Sequence, residues 1–393
     1  MGKNPKKTAL ILPTGFEKFD YGPNHPLKWD RVLYAMELIK AYRLDALENA
    51  RYIAPSLSTI EDVLQYHDAK YIETLKEAND GVSRESYLRY NMGAGDNPVF
   101  PGVFDFSMTV CGCTLTAARL IGEKEVWGAF NMAGGMHHAM TDRASGFCYI
   151  NDIALAIQYF LKKKMKVMYV DIDAHHGDGV QAAFYDTDRV LTMSFHESGL
   201  SLFPGTGFPE ELGGGKGKGY SINVPLKLGS DDGTFTWAFD EIFTPVIEKF
   251  NPDVLVSLLG CDMMATDPLS NMNLTSNGYM HAVSVMGSKA KRWLALGGGG
   301  YNQFNTSRLW TIAWAIMNHV TLPDELPKNF RDLAHRDGFE LPGLMDHMHR
   351  LGEWRRQEVM AEAQKSVREV KRDIFPILKI KVKKGFMDDF FLV

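Results

Sequence analysis

Short apolar runs alternate with longer amphipathic ones along most of this chain. Residues 10–12, 126–130, 167–171, 190–194, 254–259 and 293–296 are apolar at nearly every position, the pattern of strands buried on both faces. Between them, residues 31–43, 59–78, 153–163 and 234–250 show helical spacing, and residues 109–120 read as a helix of small side chains. The alternation predicts an α/β fold: a single large three-layer domain with a mostly parallel sheet and helices on both faces. No internal repeat or low-complexity segment interrupts it. Past about residue 320 the character changes. Residues 351–371 form a charged amphipathic helix, and residues 378–383 alternate Leu378, Ile380 and Val382 with lysines, the period of a strand. We therefore expect a main domain over 1–320 and an appended element over 321–393. The last residues, with Phe386, Phe390, Phe391 and Leu392, are too apolar to stay solvated, so the tail is expected to dock and to support a homo-oligomer.

Composition narrows the class without naming a function. The 393 residues are 45% hydrophobic and 11% aromatic, an ordinary globular balance. A net charge of −5 offers no field for nucleic acid. Cys111, Cys113, Cys148 and Cys261 show no disulfide spacing, which fits a reducing compartment. No run is long enough to span a membrane, and residues 8–13 are too short for a signal-peptide core. Gly2 lacks the downstream hydroxyl residue of a myristoylation signal. A cytoplasmic protein is expected.

Polar motifs recur directly after strand-like runs. His137 and His138 follow the run at 126–130, Asp171, Asp173, His175 and Asp178 follow 167–171, Asp262 follows 254–259, and Tyr301 follows four glycines after 293–296. Open α/β sheets build their sites outside the carboxyl ends of strands, so these motifs are expected to converge. Strand alternation would point Asp171, Asp173 and His175 to one side. Asp173, His175 and Asp262 make the best trio for a catalytic metal with an open position, although Asp262 taken alone could cap a helix. Two carboxylates and one imidazole suit zinc, and iron(II) or cobalt equally. The tandem histidines read as acid/base groups, with Asp171 and Asp178 as the carboxylates that orient them. The glycine loop brings the Tyr301 phenol close to a substrate, and it lacks the residues of a phosphate-binding loop.

The chain resembles the zinc-dependent histone deacetylase family, the class I branch and its bacterial acetoin-utilisation relatives in particular. The resemblance rests on Asn24-His-Pro-Leu-Lys28, Gly135-Met-His-His138, Gly146-Phe-Cys-Tyr-Ile-Asn-Asp152, Asp171-Ile-Asp-Ala-His-His-Gly-Asp-Gly179, Phe203-Pro-Gly-Thr-Gly207 and Gly297-Gly-Gly-Gly-Tyr301, in the family's order over roughly residues 8 to 320. It implies an arginase/deacetylase-like fold and removal of acetyl, or longer acyl, groups from lysine side chains of proteins or peptides. It implies zinc on Asp173, His175 and Asp262, His138 as general base and acid, His137 as its electrostatic neighbour, and Tyr301 as the hydroxyl that polarises the carbonyl. Asp96 would bind substrate backbone at the rim. Gly146, Phe147, Phe203 and Leu269 would wall the channel, and Arg31 and Cys148 would lie near an inner cavity. Potassium would sit at Asp171, Asp173, His175, Ser194 and Phe195, and again at Phe184, Thr187, Val190 and Tyr220. Cys261 beside Asp262, and Phe304 and Pro268 at positions where animal relatives carry arginines for inositol phosphate, depart from the pattern. The alternative substrate is an acetylated polyamine, for which Glu197 and Asp96 are the available carboxylates. A catalytically silent acyl-lysine reader would have lost Tyr301, His138 or a ligand, and none is lost.

Overall fold

The computed structural model describes residues 6–93, 95–347 and 351–381. Its one sheet holds β1 (Thr8–Ile11), β2 (Ala50–Ile53), β3 (Gly128–Asn131), β4 (Val167–Asp171), β5 (Val190–Glu197), β6 (Ser221–Leu226), β7 (Val254–Leu258) and β8 (Trp293–Leu296). Every neighbouring pair is parallel, in the order β2-β1-β3-β8-β7-β4-β5-β6. The helices are α1 (Asp30–Ala41), α2 (Ile60–Val63), α3 (Ala69–Glu77), α4 (Val103–Gly122), α5 (Asp152–Lys162), α6 (Asp178–Ala183), α7 (Asp232–Phe250), α8 (Ser276–Lys289), α9 (Gln303–Met317), α10 (Lys328–Arg336), α11 (Glu353–Asp373) and α12 (Phe375–Leu378). α1, α9, α8, α7 and α11 pack side by side in one row, while α4 and α5 pack on each other and on the sheet. Strands covered on both faces must be apolar throughout; β3, β4, β5, β7 and β8 are buried at every residue.

Four elements differ from the sequence pattern, each for a physical reason. The two strands that apolar runs did not announce, β2 and β6, are the sheet's edges. β2 is only partly buried, and β6 contains Pro225, which an edge tolerates because one side of its backbone needs no ladder partner. The helix expected over 59–78 breaks in two. Thr59 and Asp62 form a capping box on α2, and Asp68 caps α3 by accepting from the backbone N–H of Lys70 and Tyr71. Between them the Asp68 N–H donates to the Thr141 carbonyl and His67 Nε2 accepts from the Asn151 N–H, so tertiary bonds replace a helical turn. The strand expected over 378–383 does not begin: Leu378 closes α12 and Lys379 turns the chain with a φ of 56°. Period-two alternation there reflects one buried helical residue, Leu378, and the partly buried Ile380. Val382, Lys383, Phe386, Phe390, Phe391 and Leu392 lie outside the described residues.

α11 covers the β6 edge. Val359, Ala363, Val367 and Val370 are fully buried, α11 packs on α7 and β6, and Ser366 Oγ donates to the Pro225 carbonyl at 2.7 Å. An edge strand shielded in this way offers no free ladder to another chain. Among the described residues no helix is long and apolar enough to cross a membrane.

Candidate active site

β3, β8, β7 and β4 are consecutive in the middle of the sheet, so the loops leaving their carboxyl ends meet. β4 stops at Asp171, and alternation along a strand is therefore not what gathers Asp173 and His175. Instead, Asp171 Oδ1 accepts from the Asp173 N–H at 2.9 Å and Asp173 Oδ1 accepts from the His175 N–H at 3.0 Å. These are two successive turns in which a carboxylate bonds the backbone two residues on. From β7, Asp262 Oδ1 accepts from the Ala174 N–H at 2.8 Å, so its carboxylate faces the β4 loop and caps no helix. From β8, the Gly299 N–H donates to Asp173 Oδ2 at 2.7 Å. A Cβ on Gly299 would fall on the carboxylates of Asp262 and Asp173, which only glycine avoids.

Asp173, His175 and Asp262 each offer a ligand atom within 4.8 Å of the others, and all three are buried. His175 Nδ1 lies 3.1 Å from Asp173 Oδ1 and 3.0 Å from Asp262 Oδ2. Two buried carboxylates at this spacing repel unless a positive centre lies between them. Burial, then Asp173, push the Asp262 acid up to about 7, and His175 draws it back. Although burial opposes it, His137 and His175 hold Asp173 well below the usual carboxylate range. Hard oxygen and imidazole donors around a point of high negative potential fit a divalent cation.

The tandem histidines stand beside this triangle on the β3 loop, each with its own carboxylate. His137 Nδ1 is 2.9 Å from Asp171 Oδ2, which also accepts from the Tyr169 hydroxyl at 2.6 Å. His138 Nδ1 is 2.7 Å from Asp178 Oδ1. The two imidazoles lie 3.9 Å apart between centroids. Burial opposes a charge on His137, but Asp171 and Asp173 override it and hold the ring up at about 9. Burial, then the charge of His137, push His138 down to about 4. Asp171, Asp173 and the shared burial thus push the two rings in opposite directions, His137 toward the charged form and His138 toward the neutral one. Across the triangle, the Tyr301 ring is 6.5 Å from His175. Burial, then Asp262 and Asp173, push its phenol well above 10, so it stays a donor.

Two carboxylates that sequence reasoning left without a role set these groups in place. Asp152, fully buried, accepts from the N–H groups of Gly135 and Met136 and from Thr114, and so holds the loop carrying both histidines. Asp267 accepts from the Tyr301 N–H at 2.7 Å and the Leu269 N–H at 3.0 Å. Asp152 closes a motif already read, but Asp267, between Thr266 and Pro268, carries no local signal.

The mouth is built on a tight turn. Ser145 and Cys148 exchange backbone bonds, and the central Gly146 and Phe147 have φ of 49° and 70°, a type I′ geometry. Phenylalanine in the left-handed region is strained. It is held by the Tyr21 hydroxyl on its carbonyl at 2.8 Å and by the rings of His25 and Tyr301. A Cβ on Gly146 would run into His138 and Phe203. Phe203 stands edge-on to His138 at 5.0 Å, and Leu269 is half-buried. Asp96 is exposed at the rim, with its carbonyl 3.3 Å from His25 Nε2. Behind Tyr301, buried Arg31 donates to the Gly300 carbonyl at 2.9 Å under the Trp310 ring, and Cys148 Sγ donates to the Gly146 carbonyl. Leu27, Arg31, Cys148 and Tyr301 line a small cavity there. Of the residues named for potassium, Ser194 pairs with Asp171 across β5 and β4, Phe195 follows it, and the Thr187 N–H donates to the Phe184 carbonyl just before Val190. Tyr220 precedes β6 and accepts from the Thr192 N–H. Glu197 is not a carboxylate of the mouth: it is 1% exposed and bonded to Ser201 and Asn271.

Comparison with known proteins gives the family and the fold. A model of the histone deacetylase domain matches residues 25–317. Histone deacetylase 9 of Arabidopsis thaliana is 42% identical over 312 residues, covering 79% of this chain and 72% of the relative. Histone deacetylase 1 of Homo sapiens is 40% identical over 327 residues, covering 82% and 67%. The crystal structure of an HDAC homolog complexed with SAHA superposes with a TM-score of 0.85 at 36% identity, over 93% of this chain and 100% of that one. An HDAC homolog from Aquifex aeolicus gives 0.83 at 36% identity, over 92% and 100%.

Proposed function

This chain belongs to the histone deacetylase family, and on that premise we propose how its residues divide the work of removing an acetyl group from a lysine side chain. It is a metal-dependent amide hydrolase. The observation that carries the assignment of residues is a buried Asp-His-Asp triangle flanked by His138, bonded through Nδ1 to Asp178, and by the Tyr301 phenol. Asp173, His175 and Asp262 would hold the metal, zinc in the usual case, and iron(II) would suit the same donors. A divalent ion there supplies Lewis acidity toward the amide carbonyl and toward water.

The lysine stem enters between Phe147 and Phe203 along Gly146 and Leu269, while Asp96 accepts from substrate backbone N–H groups at the rim. The Tyr301 hydroxyl donates to the carbonyl oxygen and strengthens that bond as negative charge builds on it. His138 accepts the proton of the attacking water at Nε2, because Nδ1 is committed to Asp178. Charged His137, held by Asp171, stabilises the negative charge that develops nearby. When the C–N bond breaks, His138 returns the proton to the leaving ε-amine, and acetate exits past Arg31 and Cys148. Potassium at Asp171, Asp173, His175, Ser194 and Phe195, and at Phe184, Thr187, Val190 and Tyr220, would act as structural counter-charge. Residues 1–320 carry this chemistry, with 321–393 as their extension. Four free cysteines support a reducing, cytoplasmic setting.

A small polyamine substrate needs an unpaired carboxylate at the mouth, and the engagement of Glu197 leaves only Asp96. Purified, metal-loaded protein is therefore expected to turn over an acetyl-lysine peptide far faster than acetylspermidine. Equal or faster polyamine turnover would replace the protein-substrate reading.

A further inference from the structure

Glu197 ends β5 at the edge of the site. Its N–H donates to the Ala174 carbonyl at 2.9 Å, next to His175, so its backbone is fixed to the loop that carries the metal ligands. The side chain is buried yet bonded to two different loops. Oε1 accepts from Ser201 Oγ at 2.8 Å and from Asn271 Nδ2 at 3.0 Å, and Oε2 accepts from the Asn271 N–H at 2.7 Å. Ser201 lies two residues before Phe203, in a turn where the Leu202 N–H bonds the Ser198 carbonyl. Asn271 lies two residues after Leu269, in a loop pinned to the site by Ser270 Oγ on the Asp262 carbonyl and by Asp267 beneath Tyr301. One carboxylate thus bridges the loop of Phe203 and the loop of Leu269. Leu200, in the first of these loops, is 87% exposed, so its own packing does little to hold that loop.

Resting on the deacetylase reading above, we propose that Glu197 is a positioning residue that sets the width of the acyl-lysine channel by tying its Phe203 wall to its Leu269 wall. Removing the carboxylate deletes the acceptor that Ser201 and Asn271 share, and because both residues are exposed their freed donors can turn to water, so the two loops are no longer tied and can move apart. The walls then separate and the slot loses its grip on a slim stem. Such an effect falls on substrate fit rather than on the groups that move protons.

The test is steady-state kinetics of E197A and E197Q on matched acetyl-lysine and butyryl-lysine peptides, with bound metal and the pH profile measured in parallel. E197A is expected to raise KM for the acetyl peptide about ten-fold with a smaller change in kcat. It should also shift the acetyl-to-butyryl ratio of kcat/KM toward the bulkier acyl group by about ten-fold, the discrimination that a pocket exerts on small changes in apolar size. Metal content and the acid limb should stay as in the parent. E197Q is expected to restore most of the effect, because its carbonyl can accept from the Asn271 N–H and its amide can donate to Ser201 Oγ. An E197A enzyme with parental KM and acyl ratio overturns the proposal while leaving the deacetylase reading intact. A parent enzyme that does not hydrolyse the acetyl peptide removes both. Should E197A not fold, S201A/N271A deletes two of the three bonds and decides the question by the same two readouts.

Discussion

On the proposed division of roles, the chemistry of this site depends on two neighbouring imidazoles, each bonded to its own carboxylate, being held in opposite states. H138A removes the group proposed to handle both protons and is expected to lower kcat by roughly three orders of magnitude. Y301F removes one donor to the developing oxyanion and is expected to lower kcat about a hundred-fold or more with little change in KM. H137A, which touches no reacting atom, should cost less than either; a parental rate in H138A would show that the base is misassigned. The pH dependence has a defined sign. His138 works as a base only when neutral, and its lowered value keeps it so at neutral pH, so activity is lost as pH falls toward about 4. D171N weakens the charge on His137, which relieves His138 and should move that acid limb to higher pH. D178N withdraws the carboxylate that raises His138 and should move it lower. Profiles of kcat/KM for the two variants that shift in the same direction would refute the coupling. Asp171, Asp173, His175, Asp178 and the tandem histidines were legible because charged residues after a buried strand demand partners. The tie of Asp267 to Tyr301 and that of Glu197 to Asn271 were not, because they reach backbone N–H groups on loops 34 and 74 residues away, which no local pattern encodes.

Among the elements, apolar runs located the six interior or well-covered strands, and failed at the partly buried β2 and the proline-containing β6, both edges. Hydrophobic periodicity reports burial, and edges are where burial and strand pairing part company. It failed again at residues 59–78, where cap residues and tertiary bonds divide a continuous helical pattern, and at 378–381, where two inward residues mimicked a strand. The turn at Gly146 and Phe147 was visible as a motif, but its backbone was not. With φ of 70° at Phe147, the usual ranking of small residues should invert there. F147G is expected to be more stable than F147A by about 1 kcal/mol, because alanine pays for the left-handed conformation and glycine does not. Both should lose kcat/KM through the missing wall. Denaturant unfolding of the two variants checks this, and an F147A protein as stable as F147G would mean the turn is not held as described.

At the scale of the whole molecule, the described part of the carboxyl-terminal extension, residues 321–347 and 351–381, packs into the fold. Phe304 is buried among Tyr34 and the extension's Phe330 and Phe339. Further on, α11 closes the β6 edge, with Lys371 paired to Glu241 on α7. Truncation before residue 351 should expose that edge and lose four buried small or β-branched side chains, at roughly 1 to 2 kcal/mol for each valine. A clearly lower Tm and a tendency to self-associate are expected, and an unchanged Tm would show that α11 contributes nothing. The central claim concerns the buried triangle, and it is tested most directly by acetate release from an acetyl-lysine peptide by metal-stripped protein before and after adding zinc, with D262A beside it. The expected result is no turnover without metal, recovery on adding one equivalent of zinc per chain, and neither tight zinc binding nor recovery in D262A. Full turnover by the stripped enzyme, or recovery by D262A to the parental rate, would contradict it.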